Sequence, residues 1–231
     1  MPLPPSLAET EHQLAIYQPP ADEGFVPLHV DDDMVVVSKP AGLLTVPGRG
    51  EHVQDCLIHR VQQHLPDALI VHRLDMDTSG LVLLGRGPEM QRALSRLFMD
   101  RQVYKRYEAV VSGLIAQDRG DIDAPLIADW PNRPRQKVDE NQGKPSMTRY
   151  RVMDRYPTAW RTRLALEPVT GRSHQLRVHM LCIGHPIVGD PLYGPQPPRD
   201  QAPRLLLHAT ELRLTHPRSG QAMAWQEACP F

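Results

Sequence analysis

Hydrophobic positions along the chain recur with two periods, which divide it into strands, helices and polar connections. From Val26 the text runs VPLHV, then Asp31-Asp32-Asp33, then MVVVSKP closing at Pro40, and this predicts a β-hairpin. In VHRLDMDTSGLVLLGR a polar loop of six or seven residues leads into the continuous apolar strand Leu81 to Leu84. Further strands are expected at 103–113, 147–153 and 159–169, and at RLLLHA and ELRLTH near the end. Helical spacing occurs three times. Val53, Leu57, Val61 and Leu65 lie four apart with Pro66 as the stop. Met90, Leu94, Leu97 and Phe98 follow Pro88 at a helix start. Leu176, Met180 and Ile183, within 172–184, share a face that ends at Gly184. With strands outnumbering helices about two to one, the expected fold class is α+β: a single domain with a large mixed, mainly antiparallel sheet flanked by helices and loops. Residues 1–24 are Pro-rich, acidic and aperiodic and read as an irregular arm, residues 25–231 as the folded domain, and PQPPRDQAP as a loop.

Composition narrows the class. The 231 residues include 24 prolines, which oppose long helices and a helical bundle. Cys56, Cys182 and Cys229 are odd in number and widely spaced, so neither a disulfide framework nor a thiolate zinc site is suggested, and a reducing cytoplasm fits. The start MPLPPSLAETEHQ has no basic and apolar leader pattern, and no run of about 18 apolar residues occurs, so neither secretion nor a membrane is expected. The formal net charge of −1, from 26 basic and 27 acidic residues, argues against a uniformly cationic protein. That sum hides a split. Residues 1–38 hold seven acids and no Lys or Arg, which leaves 26 basic against 20 acidic residues in the rest, a surplus of six.

Three constellations could carry chemistry. His72-Arg73-Leu74-Asp75, followed by Asp77-Thr78-Ser79-Gly80, places charge directly before a buried strand, and such charge has to sit on the sheet rim, where active-site loops lie. A capped turn, with Asp75, Asp77, Thr78 and Ser79 satisfying local amides, is the alternative. In TGRSHQLRVH a helix starting near Ser173 makes His174 a neighbour of Arg177 and leaves Arg172 at its N-terminal mouth, a collection of donors suited to an anion or, alternatively, a solvated polar face. Lys105-Arg106-Tyr107 lies in an alternating strand, with Lys105 and Tyr107 on one face and Arg106 on the other.

Two basic stretches, 86–106 and 133–151, each carry a surplus of four, and Trp130, Tyr150 and Trp160 nearby could stack on bases; ordinary solubility is the competing reading. No Walker A loop, dinucleotide fingerprint, G-x-S-x-G elbow or RNP1 motif is present. A metal-dependent hydrolase built from His72, His174, His179 and His208 has poor ligand spacing.

HRLDMDTSG, KRYEAVVSG, TGRSHQLRVHM, GHPIVGDPLYG and RLLLHA occur in this order and spacing, and the chain resembles the RluA-type pseudouridine synthases from about Asp31 to the C-terminus. ADWPNRPRQKVD looks like the RluA subgroup, and residues 1–24 are too few for the S4 module many relatives carry. The resemblance implies a cofactor-free, metal-free isomerase acting on RNA, a cytoplasmic monomer converting uridine to pseudouridine. It further implies uridine 746 of 23S rRNA and uridine 32 of tRNA anticodon stem-loops as targets, with another tRNA or rRNA uridine, or a non-catalytic RNA-binding protein, as alternatives. It assigns Asp75 as the catalytic aspartate, Tyr107 as the active-site tyrosine and Arg177 as the arginine paired with the aspartate. Leu206 would line the uracil pocket, Arg73 would fill the gap left by a flipped nucleotide, and His72, Arg172 and His174 would contact substrate. Attack at the ribose, attack at uracil C6 and proton abstraction from the ribose all use the same aspartate.

Overall fold

A computed structural model describes residues 17–194 and 202–231. The expected arm is irregular where described, from residue 17 to 24; the rest of it, and most of the PQPPRDQAP loop, lie outside the described residues. By its internal contacts the chain divides into two compact units. One comprises residues 19–108 and 207–231, the other mainly residues 109–206.

The first unit holds β1 (Pro27–Val30), β2 (Met34–Lys39), α1 (Leu57–Gln62), β3 (Ala68–Ile70), β4 (Ser79–Arg86) and α2 (Gly87–Met99). It also takes the first half of β5 (Tyr104–Ser112). The β1–β2 hairpin turns on Asp31, whose Oδ1 accepts the amides of Asp33 and Met34. β2 and β4 pair antiparallel from Met34↔Gly85 to Lys39↔Gly80, and their side chains alternate between two cores. Val35, Val37, Val82 and Leu84 pack with Leu57 and Val61 of α1. Met34, Val36, Leu81 and Leu83 pack with Met90 and Leu94 of α2. Burial on both faces is why these strands read as unbroken apolar runs, a pattern usual for parallel sheets that here serves a mostly antiparallel one.

The second unit receives the remainder of β5 and contributes β6 (Arg119–Asp123), β7 (Leu126–Ala128), β8 (Gln136–Val138), β9 (Met147–Tyr156), β10 (Arg161–Pro168) and α3 (Gln175–Cys182). β11 (Leu207–Thr215) and β12 (Ala222–Gln226) return to the first unit. The strand order is β1-β2-β4-β11-β5-β10-β9-β6, with β3 on β4 and β12 on β11, while β7 and β8 form a separate ribbon. The pairing of β11 with β4 is parallel, which makes the sheet mixed. It is also tight: Gly80 sits at φ +110°, and a Cβ there would overlap the Ala209 backbone.

Several elements differ from the sequence expectation. The helix expected over 52–65 shrinks to Leu57–Gln62, preceded by a 3₁₀ turn at Glu51–Val53. Parts of RLLLHA and ELRLTH join in one strand, β11, from Leu207 to Thr215, because Glu211 in its middle is buried against Arg106 at 3.2 Å and so does not interrupt the run. β3, β6, β7, β8 and β12 were not anticipated. All are three to five residues long, too short to show a period.

Candidate functional site

The loop that carries Asp75 is held from both sides by backbone. Leu74 is tied to the buried Thr45 hydroxyl twice, its carbonyl accepting from Oγ1 at 2.7 Å and its N–H donating to the same oxygen at 3.2 Å. The Met76 carbonyl accepts from the Gly42 N–H at 2.9 Å and from Lys39 Nζ at 2.9 Å. Thr78 N–H closes a turn on the Asp75 carbonyl. Lys39 is fully buried, and its ammonium also donates to the carbonyls of Pro40 and Leu43. Asp75 is therefore one half-buried residue between two anchored neighbours, with Arg73 and Met76 exposed beside it. Pre-set geometry of this kind is what a reacting carboxylate requires. Nothing in the sequence pattern marks Lys39 or Thr45 as part of this loop beyond a lysine closing an apolar strand at SKP.

Thr45→Val keeps the side-chain volume while removing both bonds to Leu74. It is expected to cost about 1–3 kcal/mol of stability and to lower turnover by about tenfold or more. Urea unfolding alongside single-turnover kinetics checks this, and unchanged turnover would contradict the anchoring.

Tyr107 lies in the same unit and packs against the α1-side core. Burial, and then the nearby Asp75 carboxylate, push its phenol above its ordinary pKa, so it keeps its proton and cannot act as a base near neutrality. Lys105, on the same face of β5, is pulled down to about 8 by burial. His72 is lowered further, to about 3, by burial and then by positive Lys105. Its Nε2 accepts the Leu83 amide at 3.0 Å, and its ring stacks on Phe98 with centroids 4.4 Å apart. Protonating Nε2 would break that bond, so His72 works as a neutral brace between the loop and β4.

The brace has a pH signature. A histidine neutral in the folded chain and free to charge in the unfolded one stabilises fully above its unfolded pKa, and loses that contribution as pH falls toward the folded value. Between about pH 6 and 4, wild type should lose about 1 kcal/mol per pH unit that His72→Gln does not lose. Parallel stability profiles of the two proteins would refute the brace.

In the second unit Arg177 is on α3 and almost fully buried. Its Nε and Nη2 grip Asp190 Oδ2 and Oδ1 at 2.8 and 2.7 Å, a two-pronged pair with a carboxylate that no sequence motif marks as its partner. Asp190 Oδ1 also accepts the amides of Leu192 and Tyr193. The Arg177 guanidinium lies 5.2 Å from the Tyr193 ring centroid. His174, in the left-handed region at φ 53°, caps α3 and meets the Tyr193 hydroxyl at 2.8 Å. Gln175 binds the preceding loop to β9: its Oε1 accepts from Thr170 Oγ1 and the Arg172 amide, and its Nε2 donates to the Met147 carbonyl and Thr148 Oγ1. Arg172 is exposed, with Nε donating to the Pro145 carbonyl at 3.3 Å. Leu206 is buried, its carbonyl accepting from Val110 and its amide donating to Val188. Tyr150 is buried as well and belongs to the core, whereas Trp130 and Trp160 are exposed.

Asp75, Tyr107, His72 and Arg73 thus lie in one unit, and Arg177, Arg172, His174 and Leu206 in the other. The histidines of the hydrolase alternative have separate partners: Leu83 for His72, Tyr193 for His174, Thr148 and Ala124 for His179, and Ser79 for His208. Among the described residues no cluster of His, Cys, Asp or Glu could hold a metal ion, and no helix is long and apolar enough to cross a membrane.

The fold has a counterpart of known structure. The solved human RNA pseudouridylate synthase domain-containing 1 superimposes with a TM-score of 0.78 at 29% identity, covering 93% of this chain and 87% of that one. The family model for RNA pseudouridylate synthase matches residues 33–181. The dual-specificity RNA pseudouridine synthase RluA of Escherichia coli (strain K12) is 47% identical over 215 residues, 93% of this chain and 98% of that protein. The protein of the same description from Pasteurella multocida (strain Pm70) is 47% identical over 204 residues, 88% and 93% of the two chains. The chain belongs to the RNA pseudouridylate synthase family and is of the RluA type. It is an isomerase that acts on RNA, and the α+β fold with a large mixed sheet is as the sequence led one to expect.

Proposed function

We propose that the enzyme has two kinds of substrate, uridine 32 in tRNA anticodon stem-loops and uridine 746 in a 23S rRNA hairpin, with Asp75 as the catalytic residue. The observation that carries the substrate reading is near-full-length identity of 47% to relatives described as dual-specificity enzymes. The N1–C1′ glycosidic bond breaks, the detached uracil turns while it stays bound, and C5 joins the same ribose carbon. C5 loses a proton and N1 gains one, so atoms and electrons balance without an oxidant or an external energy source. Asp75, anchored at Leu74 and Met76, serves as the carboxylate for this exchange. Tyr107, its phenol kept protonated, supplies a flat face and a donor for the turning uracil rather than a base. Arg73, exposed beside Asp75, is suited to fill the gap left when the target uridine leaves its stack, and unstacking costs a few kcal/mol that pocket contacts offset. Arg177, His174, Arg172 and Leu206 are assigned to the same reaction on the resemblance alone.

Pseudouridine mapping of tRNA and 23S rRNA from cells lacking the gene tests the substrates. Loss of pseudouridine at both positions is expected, restored by wild type and not by Asp75→Asn. Loss at neither position would overturn the assignment, and loss at one alone would overturn dual specificity.

A further inference from the structure

The ribbon of β7 and β8 is rooted in the core and bare at its tip. At the root, Leu126 is buried with Val178 of α3 and Tyr193, and Val138 packs against them. The Gln136 amide donates to the Tyr193 hydroxyl at 2.7 Å, which ties the ribbon to the ring beside His174 and Arg177. The turn between the strands is braced by its own backbone: Asp129 and Arg135 are joined by an amide-to-carbonyl bond, and the Arg135 and Asn132 amides close two further turns. The Asn132 side chain adds a bond to Asp129. On this stiff tip Trp130 is 66% exposed, and the Arg133 guanidinium lies 3.3 Å from its ring centroid. An indole this exposed gains nothing from burial in the chain itself. One face carries the cation, and the ring is fixed in orientation before any partner arrives.

Such a platform suits one chemistry, a flat unpaired base with a phosphate close by. Stacking needs a rigid aromatic face, and the neighbouring guanidinium can pair with the backbone phosphate while remaining over the ring. Every double-stranded region hides its base faces, so the platform selects RNA with an unpaired loop. We propose that Trp130 and Arg133 form a stacking site for an unpaired loop nucleotide of the RNA substrate, distinct from the uridine that is isomerised, and that this site contributes to the choice of loop-bearing substrates. The proposal rests on the reading that stem-loop RNA is the substrate.

The test uses the full chain with two RNA probes: a hairpin with the anticodon loop intact, and the same stem closed by a non-nucleotide linker. Trp130→Ala is expected to weaken binding of the loop hairpin by roughly tenfold, the effect of losing one stacked base, and to leave the linker-closed stem unchanged. KM for the hairpin should rise by a similar factor with kcat unaltered, and Trp130→Phe should restore most of the affinity. Equal weakening of both probes, or no change in either, overturns the stacking site. Wild type that binds the loop hairpin and shows the Trp130 effect, yet forms no pseudouridine in it, would instead overturn the substrate reading and leave the site intact. Because the indole is exposed, its removal does not disturb a core, and an unchanged thermal midpoint for Trp130→Ala confirms that the loss is one of binding.

Discussion

Asp75→Asn is expected to fold as wild type does and to form pseudouridine at least about 10³-fold more slowly, the scale on which a reacting carboxylate is lost. The carboxamide has nearly the same shape, so steric repacking is not in question. Its nitrogen cannot accept a proton or attack carbon as the carboxylate oxygen does, whichever of the three routes the reaction follows. The conformation of the loop is set by backbone bonds at Leu74 and Met76 and by the turn from Thr78 to the Asp75 carbonyl, none of which involves the Asp75 carboxylate. Retained circular dichroism and thermal midpoint, together with lost tritium release from C5-labelled RNA, are the paired result to look for. A folded variant within tenfold of wild-type turnover would remove Asp75 from the chemistry.

Arg177→Met has the second largest expected effect, and it falls on stability as well as on turnover. The resemblance alone gives Arg177 as the arginine paired with the catalytic aspartate. The structure places the guanidinium in a bidentate grip on Asp190, both side chains almost without solvent contact. Removing one partner of a buried ion pair leaves the other charge uncompensated, which costs about 3–5 kcal/mol. The amides of Leu192 and Tyr193 still solvate Asp190, which points to the lower end of that range. Arg177→Lys should recover little, since an ammonium cannot supply the parallel fork. Arg177→Met combined with Asp190→Asn should recover part of the loss, because the stranded charge is gone. Urea midpoints of the four proteins check the set, and an Arg177→Met variant as stable as wild type would show that the pair holds nothing together. The turnover of Arg177→Met is meaningful only at temperatures where it remains folded.

Much of the framework was legible in the order of residues. The apolar runs at 34–37 and 81–84 marked the two central strands because both of their faces are covered, and the four-residue spacing after Pro88 marked α2 because that helix buries one side only. The charged string from His72 to Asp77 marked a rim loop, since such a density of charge ahead of a buried strand has nowhere else to lie. Motif order likewise pointed to the family of the chain, because Asp75 and the loop that holds it are contiguous in sequence.

What sequence could not determine was which distant groups would meet. Lys39 looked like the end of a strand and proved to be a buried ammonium serving three carbonyls, one of them 37 residues away at Met76. His72, which the resemblance places among the substrate contacts, also accepts the Leu83 amide on β4, and burial keeps its ring neutral. Asp190, given no role by its place in GHPIVGDPLYG, proved to be a partner of Arg177. In each case a charged or polar group had to be taken out of water, and its cost depends on what the fold brings within about 3 Å of it. Local pattern records whether a position is apolar and with what period, so the sequence determined the longer elements, the fold class and the loop that carries the aspartate. Hydrogen-bond partnership across tens of residues is a property of tertiary packing, so only the folded structure decided how that aspartate is held and which charges are paired to hold the framework around it.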